Sequence, residues 1–169
     1  MWHGIMKIVD INHFSKQGKL IWSANNLKNI LHLKGEEFLL RAAFSGGKVS
    51  SVIPENYYLG LDNRFTISAD DEMSDINGEP SFSGYERQAV ASSGDFTIIF
   101  ENGHYQAISP IVAFGAVDGS WGPISNLFIS DQANTLGTLI STAPLSSSVV
   151  VEDGESVTLR IAMTLKDCS

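Results

Sequence analysis

A chain of 169 residues with 43% apolar side chains is long enough to bury a core and too apolar to stay disordered. Its 11 basic and 19 acidic residues leave a net charge of −8, and the Lys and Arg are scattered singly. That excludes the basic clusters that neutralise phosphates, so neither nucleic acid nor an anionic membrane is an expected partner. Cys168 is the only cysteine, so no internal disulfide can form, and synthesis in a reducing cytosol is expected. Met1–Lys7 lacks the charged-then-apolar pattern of a signal peptide, and apolar runs such as Ile111–Val117 are too short to cross a bilayer.

In chain order, Met6–Ile11 is the first expected strand. Leu27, Ile30 and Leu31 show helical spacing, which predicts a short helix before Gly35. A second helix is expected over Glu36–Phe44, with Phe38, Leu39, Ala42 and Ala43 on one face. Glu36 and Glu37 sit where the helix dipole favours acids, and Gly46-Gly47 follows as a stop. Tyr57–Leu61 reads as a strand, Ser68–Ser83 as a polar loop holding one helical turn, and Tyr85–Ala91 as another strand.

Phe96–Phe100 and His104–Ile108 flank Asn102-Gly103, a dipeptide suited to a two-residue hairpin turn. That turn pairs Phe100 with Tyr105 and Ile98 with Ala107. Ile111–Val117, Ser125–Ser130 and Thr138–Ser141 are further strands. Asp118-Gly119 is a turn signal, and Pro123 is expected to limit regular pairing beside it. Near the C-terminus, Asp153-Gly154 predicts a second hairpin with Val150 opposite Val157. The final strand alternates, with Val157, Leu159, Ile161, Met163 and Leu165 facing inward and Thr158, Arg160, Ala162 and Thr164 outward.

About nine short strands with closely spaced turns define an all-β, mainly antiparallel class. The expected architecture is a single β-sandwich domain over residues 1–169, jelly-roll-like, with one or two short N-terminal helices.

Chemistry-bearing patterns are absent. The sequence holds no nucleophile elbow and no phosphate-binding glycine motif. His3, His13, His32 and His104 have no His, Cys or carboxylate at ligand spacing, so no metal ligands are assigned. Asp70, Asp71, Glu72 and Asp75 form the best cation candidate, yet they lack the alternating oxygens and glycine of a calcium loop; a solvated loop face is the plainer account. No pair among the acids stands out for glycoside cleavage. The expectation is a protein with no catalytic residues, no cofactor and no enzymatic activity.

The aromatic residues suggest contact surfaces instead. Tyr57 and Tyr58 are adjacent, so on a strand they face opposite sides, one toward the core and one outward. Trp121 lies between Gly-Ser and Gly-Pro, where an indole plugs the end of a sandwich. Sugar-binding modules also expose Trp and Tyr, which keeps a carbohydrate-binding β-sandwich as an alternative.

An ordered set of short pieces covers most of the chain: Asn26-Leu27-Lys28-Asn29, Gly35-Glu36, Pro54, Tyr57-Tyr58-Leu59-Gly60-Leu61, Glu79-Pro80 and Gly84-Tyr85-Glu86-Arg87. It continues with Trp121-Gly122-Pro123, Leu127-Phe128, Leu139-Ile140-Ser141 and Gly154. This set resembles virion structural proteins of tailed bacteriophages. The resemblance implies a small β-domain, made in the host bacterial cytoplasm and localised to the virion. It implies a capsid decoration, or cement, protein, with tail, collar or baseplate/fibre placement as the alternative. The partners it implies are the major capsid protein or neighbouring virion proteins and further copies of the chain, as a homotrimer. Tyr57, Tyr58, Tyr85, Arg87 and Trp121 are the expected interface residues.

Overall fold

The computed structural model describes residues 2–27, 29–44, 53–81, 84–101 and 103–167. The Gly46-Gly47 stop, Asn102 of the first hairpin turn and Cys168 lie outside them, as does the side chain of Leu165.

The described residues form eleven strands and one α-helix: β1 (Trp2–Phe14), β2 (Leu20–Leu27), β3 (Ile30–Leu31), α1 (Leu33–Phe44), β4 (Asn56–Asp62), β5 (Gln88–Ala91), β6 (Thr97–Glu101), β7 (His104–Ile108), β8 (Val112–Gly115), β9 (Trp121–Ser130), β10 (Leu139–Val151) and β11 (Ser156–Asp167). One sheet runs β2-β1-β11-β7-β6, with β8 also paired to β11; the other runs β3-β10-β9-β4-β5. Every pairing among these strands is antiparallel. The all-β, two-sheet sandwich is the expected class.

The core lies between the sheets. Val157, Leu159 and Ile161 of β11 are buried against Phe114 of β8, Leu127 and Ile129 of β9, and Leu59 and Leu61 of β4. Met163 is partly buried against the same cluster, while Thr158 and Arg160 are neither core nor fully exposed. The period-two reading of β11 therefore has the right register. Ala162 and Thr164 on its other face are nonetheless buried.

A second, smaller cluster sits on the far side of the β9 sheet. Met73 and Ile76, from the short 3-10 turn Met73–Asp75 and its end, pack against Phe128 and Leu139. The polar loop thus contains the expected single turn, and it covers a sheet face. Gly60 on β4 is required there, because a Cβ at this position would enter the Phe128 ring.

Three expectations are corrected. Leu27, Ile30 and Leu31 belong to two strands, β2 and β3, rather than a helix. A window of five residues is too short to separate helical spacing from a strand end followed by a new strand. The helix itself begins at Leu33, three residues early, and buries Gly35 and Phe38, with Leu39 and Ala42 half-buried and Ala43 exposed.

The Asp153-Gly154 turn exists but joins no hairpin. Gly154 has φ +82°, and Glu155 N donates to Glu152 O at 2.9 Å. However, β10 and β11 lie in different sheets, so the turn arches across the sandwich. Val149 and Val151 are buried while Val150 is exposed, and so Val150 does not face Val157. The dipeptide sets only the local reversal; here Gly154 N donates to Ala116 O, tying the arch to the end of the β8 strand.

The Asn102-Gly103 hairpin has the expected register, with Phe100 opposite Tyr105 and Ile98 opposite Ala107. Pro123 lies inside β9, and the pairing with β10 is irregular beside it, between Ile124 and Trp121, as expected.

Candidate functional site

Three of the five expected interface residues meet at one cleft. Tyr58, Tyr85 and Arg87 line an open depression of about 870 Å³ together with Glu79, Gln88 and Asn134. The chain brings them together because β4 presents Tyr58 outward while the segment ahead of β5 folds back over the same sheet.

Most of the polar capacity in this cleft is already used. Arg87 donates to both oxygens of Glu79, Nε to Oε1 at 2.9 Å and an NH2 to Oε2 at 2.6 Å. Its other terminal nitrogen donates to the carbonyls of Gln132 and Asn134 at 3.2 and 2.7 Å. The guanidinium also lies over the Phe128 ring. With its fork satisfied, Arg87 fastens two loops to the sheet.

Tyr85 is equally committed. Its hydroxyl accepts from Leu61 N at 3.0 Å and donates to Glu79 at 2.7 Å. Burial, with the adjacent Glu79 carboxylate, pushes its pKa far above the ordinary tyrosine value, so it stays a neutral donor. The ring stacks on Phe114 and meets Trp121 edge-on, with centroids 6.1 and 5.6 Å away. Trp121, expected at an interface, is instead buried in the core as the first residue of β9 and offers no surface to a partner. Tyr57 points away from the cleft and packs edge-on between Phe38 and Phe96. The opposite facing of Tyr57 and Tyr58 is as alternation requires.

Several titratable groups elsewhere are paired within the chain too. Arg64 bridges Asp62 and Asp71 at 2.8 and 3.0 Å. Asp75 accepts from Glu72 N in a reciprocal cap. His13 lies 2.7 Å from Glu155, and His32 Nε2 lies 3.0 Å from Thr142 Oγ1. Among the described residues no group of three or more His, Cys, Asp or Glu is placed to hold a metal ion.

A second surface differs in kind. On the β6–β7 hairpin, Ile98, Phe100 and Tyr105 are 65%, 64% and 70% exposed. Cross-strand pairing aligns Ile98 with Ala107 and Ala107 with Met163, the last inward residue described on β11. Residues directly opposite share a sheet face. The apolar row is therefore the core face of the sheet, continued beyond the part that the second sheet covers. The Phe100 and Tyr105 rings are 5.1 Å apart and tilted by 56°. Sequence reading identified the hairpin and its register but not this exposure, because alternation marks a face without saying what lies across from it.

Fold and surfaces together define a two-sheet antiparallel protein whose Glu79, Tyr85 and Arg87 side chains are bound to one another, and which carries a bare apolar hairpin. The chain matches no protein-family model, no curated protein and no solved structure.

Proposed function

We propose that this chain is a non-enzymatic structural protein of a bacteriophage particle, acting through its surfaces. Decoration of the assembled head is the favoured placement, with the tail, collar, baseplate or fibre as the alternative. The phage setting rests on the ordered resemblance of its sequence pieces. The surface role rests on one observation: the exposed apolar face of Ile98, Phe100 and Tyr105. A bare apolar face of this kind marks a contact with another macromolecule.

The carbohydrate alternative is less well supported. Sugar platforms need roughly coplanar exposed aromatics, whereas here the rings are tilted by 56° and share the face with an isoleucine. Arg87, Glu79 and Tyr85 in the cleft are bound to one another instead of free for a ligand.

A decoration protein stabilises by linkage: it binds the assembled lattice and so opposes its disruption. Several weak contacts from one oligomer suffice, because the later ones form at high effective concentration. The test is to locate the chain in a reconstructed particle and to heat particles with and without it. Density on the head and earlier DNA release from particles lacking the protein are expected. Density confined to the tail transfers the reading to the alternative, and absence from the particle overturns both.

A further inference from the structure

We infer that the bare face of the β6–β7 hairpin is a self-association surface, covered by the same hairpin of a second copy in a twofold, face-to-face arrangement. The inference rests on the reading of this hairpin as a contact surface, but not on which particle the protein serves.

The argument begins with what the face lacks. Ile98, Phe100, Tyr105 and Ala107 carry no charge, and the one carboxylate of β6, Glu101, falls on the opposite side of the hairpin by alternation. Two such faces can therefore meet without burying an unpaired charge. The row is also incomplete as a sandwich. It continues the inner face of β11 through Met163 and Ala107, but among the described residues no strand of the second sheet covers Ile98 and Phe100, which are exposed. A second copy has the same deficiency, and each hairpin supplies the layer that the other lacks. One patch contacting its own copy is the definition of an isologous twofold interface.

Area sets the strength. From their exposure, the three side chains offer roughly 400 Å² per copy, given about 150–250 Å² for a whole aromatic side chain. Two copies bury roughly 800 Å² or somewhat more, which lies at the weak, transient end of specific interfaces. The expected species is a concentration-dependent dimer in the micromolar to submillimolar range, too weak to dominate in dilute solution and reinforced wherever copies are held close together.

The test is sedimentation equilibrium of the full chain from about 10 µM to 1 mM. The wild type is expected to shift from monomer toward dimer across this range. Phe100→Asp and Tyr105→Asp, both at exposed positions, are expected to weaken association at least tenfold with unchanged thermal unfolding; Glu101→Lys on the other face is expected to leave it intact. A wild type that stays monomeric at 1 mM overturns the inference, as does a dimer that neither Asp variant weakens. A trimer, the arrangement implied by the sequence resemblance, also overturns the twofold. Particle binding is scored separately: a monomer that still decorates particles defeats this inference alone, and a dimer absent from particles defeats only the proposed function.

Discussion

The Arg87 guanidinium lies 5.0 Å from the centroid of the Phe128 ring, closing the outer apolar cluster from above while its fork grips Glu79. One side chain thus joins β9, the loop carrying Glu79 and the turn at Gln132 and Asn134. Its side chain is 5% exposed, so Arg87→Ala leaves Glu79 without its counter-charge in a mostly buried site. Breaking such a pair from one side costs about 3–5 kcal/mol. Partial exposure of Glu79 places the expected loss near 3. Arg87→Lys keeps the charge but not the planar fork, and is expected to recover only part of it. Urea unfolding midpoints at constant slope check both variants.

Phe38 is the residue through which α1 reaches the core. It is buried and meets Tyr57 edge-on at 6.2 Å, and Tyr57 in turn meets Phe96 at 5.9 Å. Phe38→Ala removes the first ring of this chain and leaves a cavity, at an expected cost of about 3–5 kcal/mol. Phe38→Leu retains most of the volume and is expected to cost less than half as much. Thermal unfolding of the two variants gives the comparison, and equal melting of Phe38→Ala and the wild type would remove this side chain from the core.

What was readable in the sequence follows from how local each signal is. The strand of Val157 to Met163 alternates over many residues, with Val157, Leu159 and Ile161 in the core, so its register could be read directly, whereas the burial of Ala162 on the other face could not. Asn102-Gly103 and Asp153-Gly154 look equivalent as turn signals. The first lies between strands that pair with each other and the second arches between sheets, because sheet assignment depends on partners such as Ala116, distant in sequence from Gly154. For the candidate sites, Tyr57, Tyr58, Tyr85, Arg87 and Trp121 were singled out as contact residues with no placement relative to one another, and three of them, Tyr58, Tyr85 and Arg87, lie in one cleft. Their mutual saturation was hidden, since Glu79 and the carbonyls of Gln132 and Asn134 carry no motif. Exposure of Phe100 was hidden for the same reason: it depends on where the opposing sheet stops.

Gly60 offers a sharper test of the outer cluster. It is buried on β4, and any Cβ there would penetrate the Phe128 ring, itself almost fully buried. Gly60→Ala is therefore expected to destabilise by about 1–3 kcal/mol through overpacking, despite the better strand propensity of alanine. Combining it with Phe128→Leu makes room for the methyl group. The double variant is expected to lose less than the sum of the two single changes, since the residues touch. Strict additivity in calorimetric unfolding would mean that the two positions do not compete for space.

His32 couples stability to pH. The ring is fully buried, and Nε2 lies 3.0 Å from Thr142 Oγ1. Burial lowers its pKa below the ordinary value, and Arg64 acts in the same direction. The Asp71 carboxylate and the carbonyls of Ala69 and Ser68 oppose the shift without reversing it. Because the folded pKa is depressed, the unfolded chain binds a proton on His32 more readily than the folded one. Linkage then fixes the sign: this contribution is fully present above the unfolded pKa, about 6.5, and declines as pH falls through that value until the folded pKa is passed. Denaturant midpoints measured at pH 7.5, 6.5 and 5.5 are expected to fall in the wild type. In His32→Gln, which cannot titrate, the same decline is expected to be shallower even though its absolute stability at pH 7.5 is lower. Parallel curves for the two proteins would assign the acid sensitivity to other groups and leave His32 without a part in it.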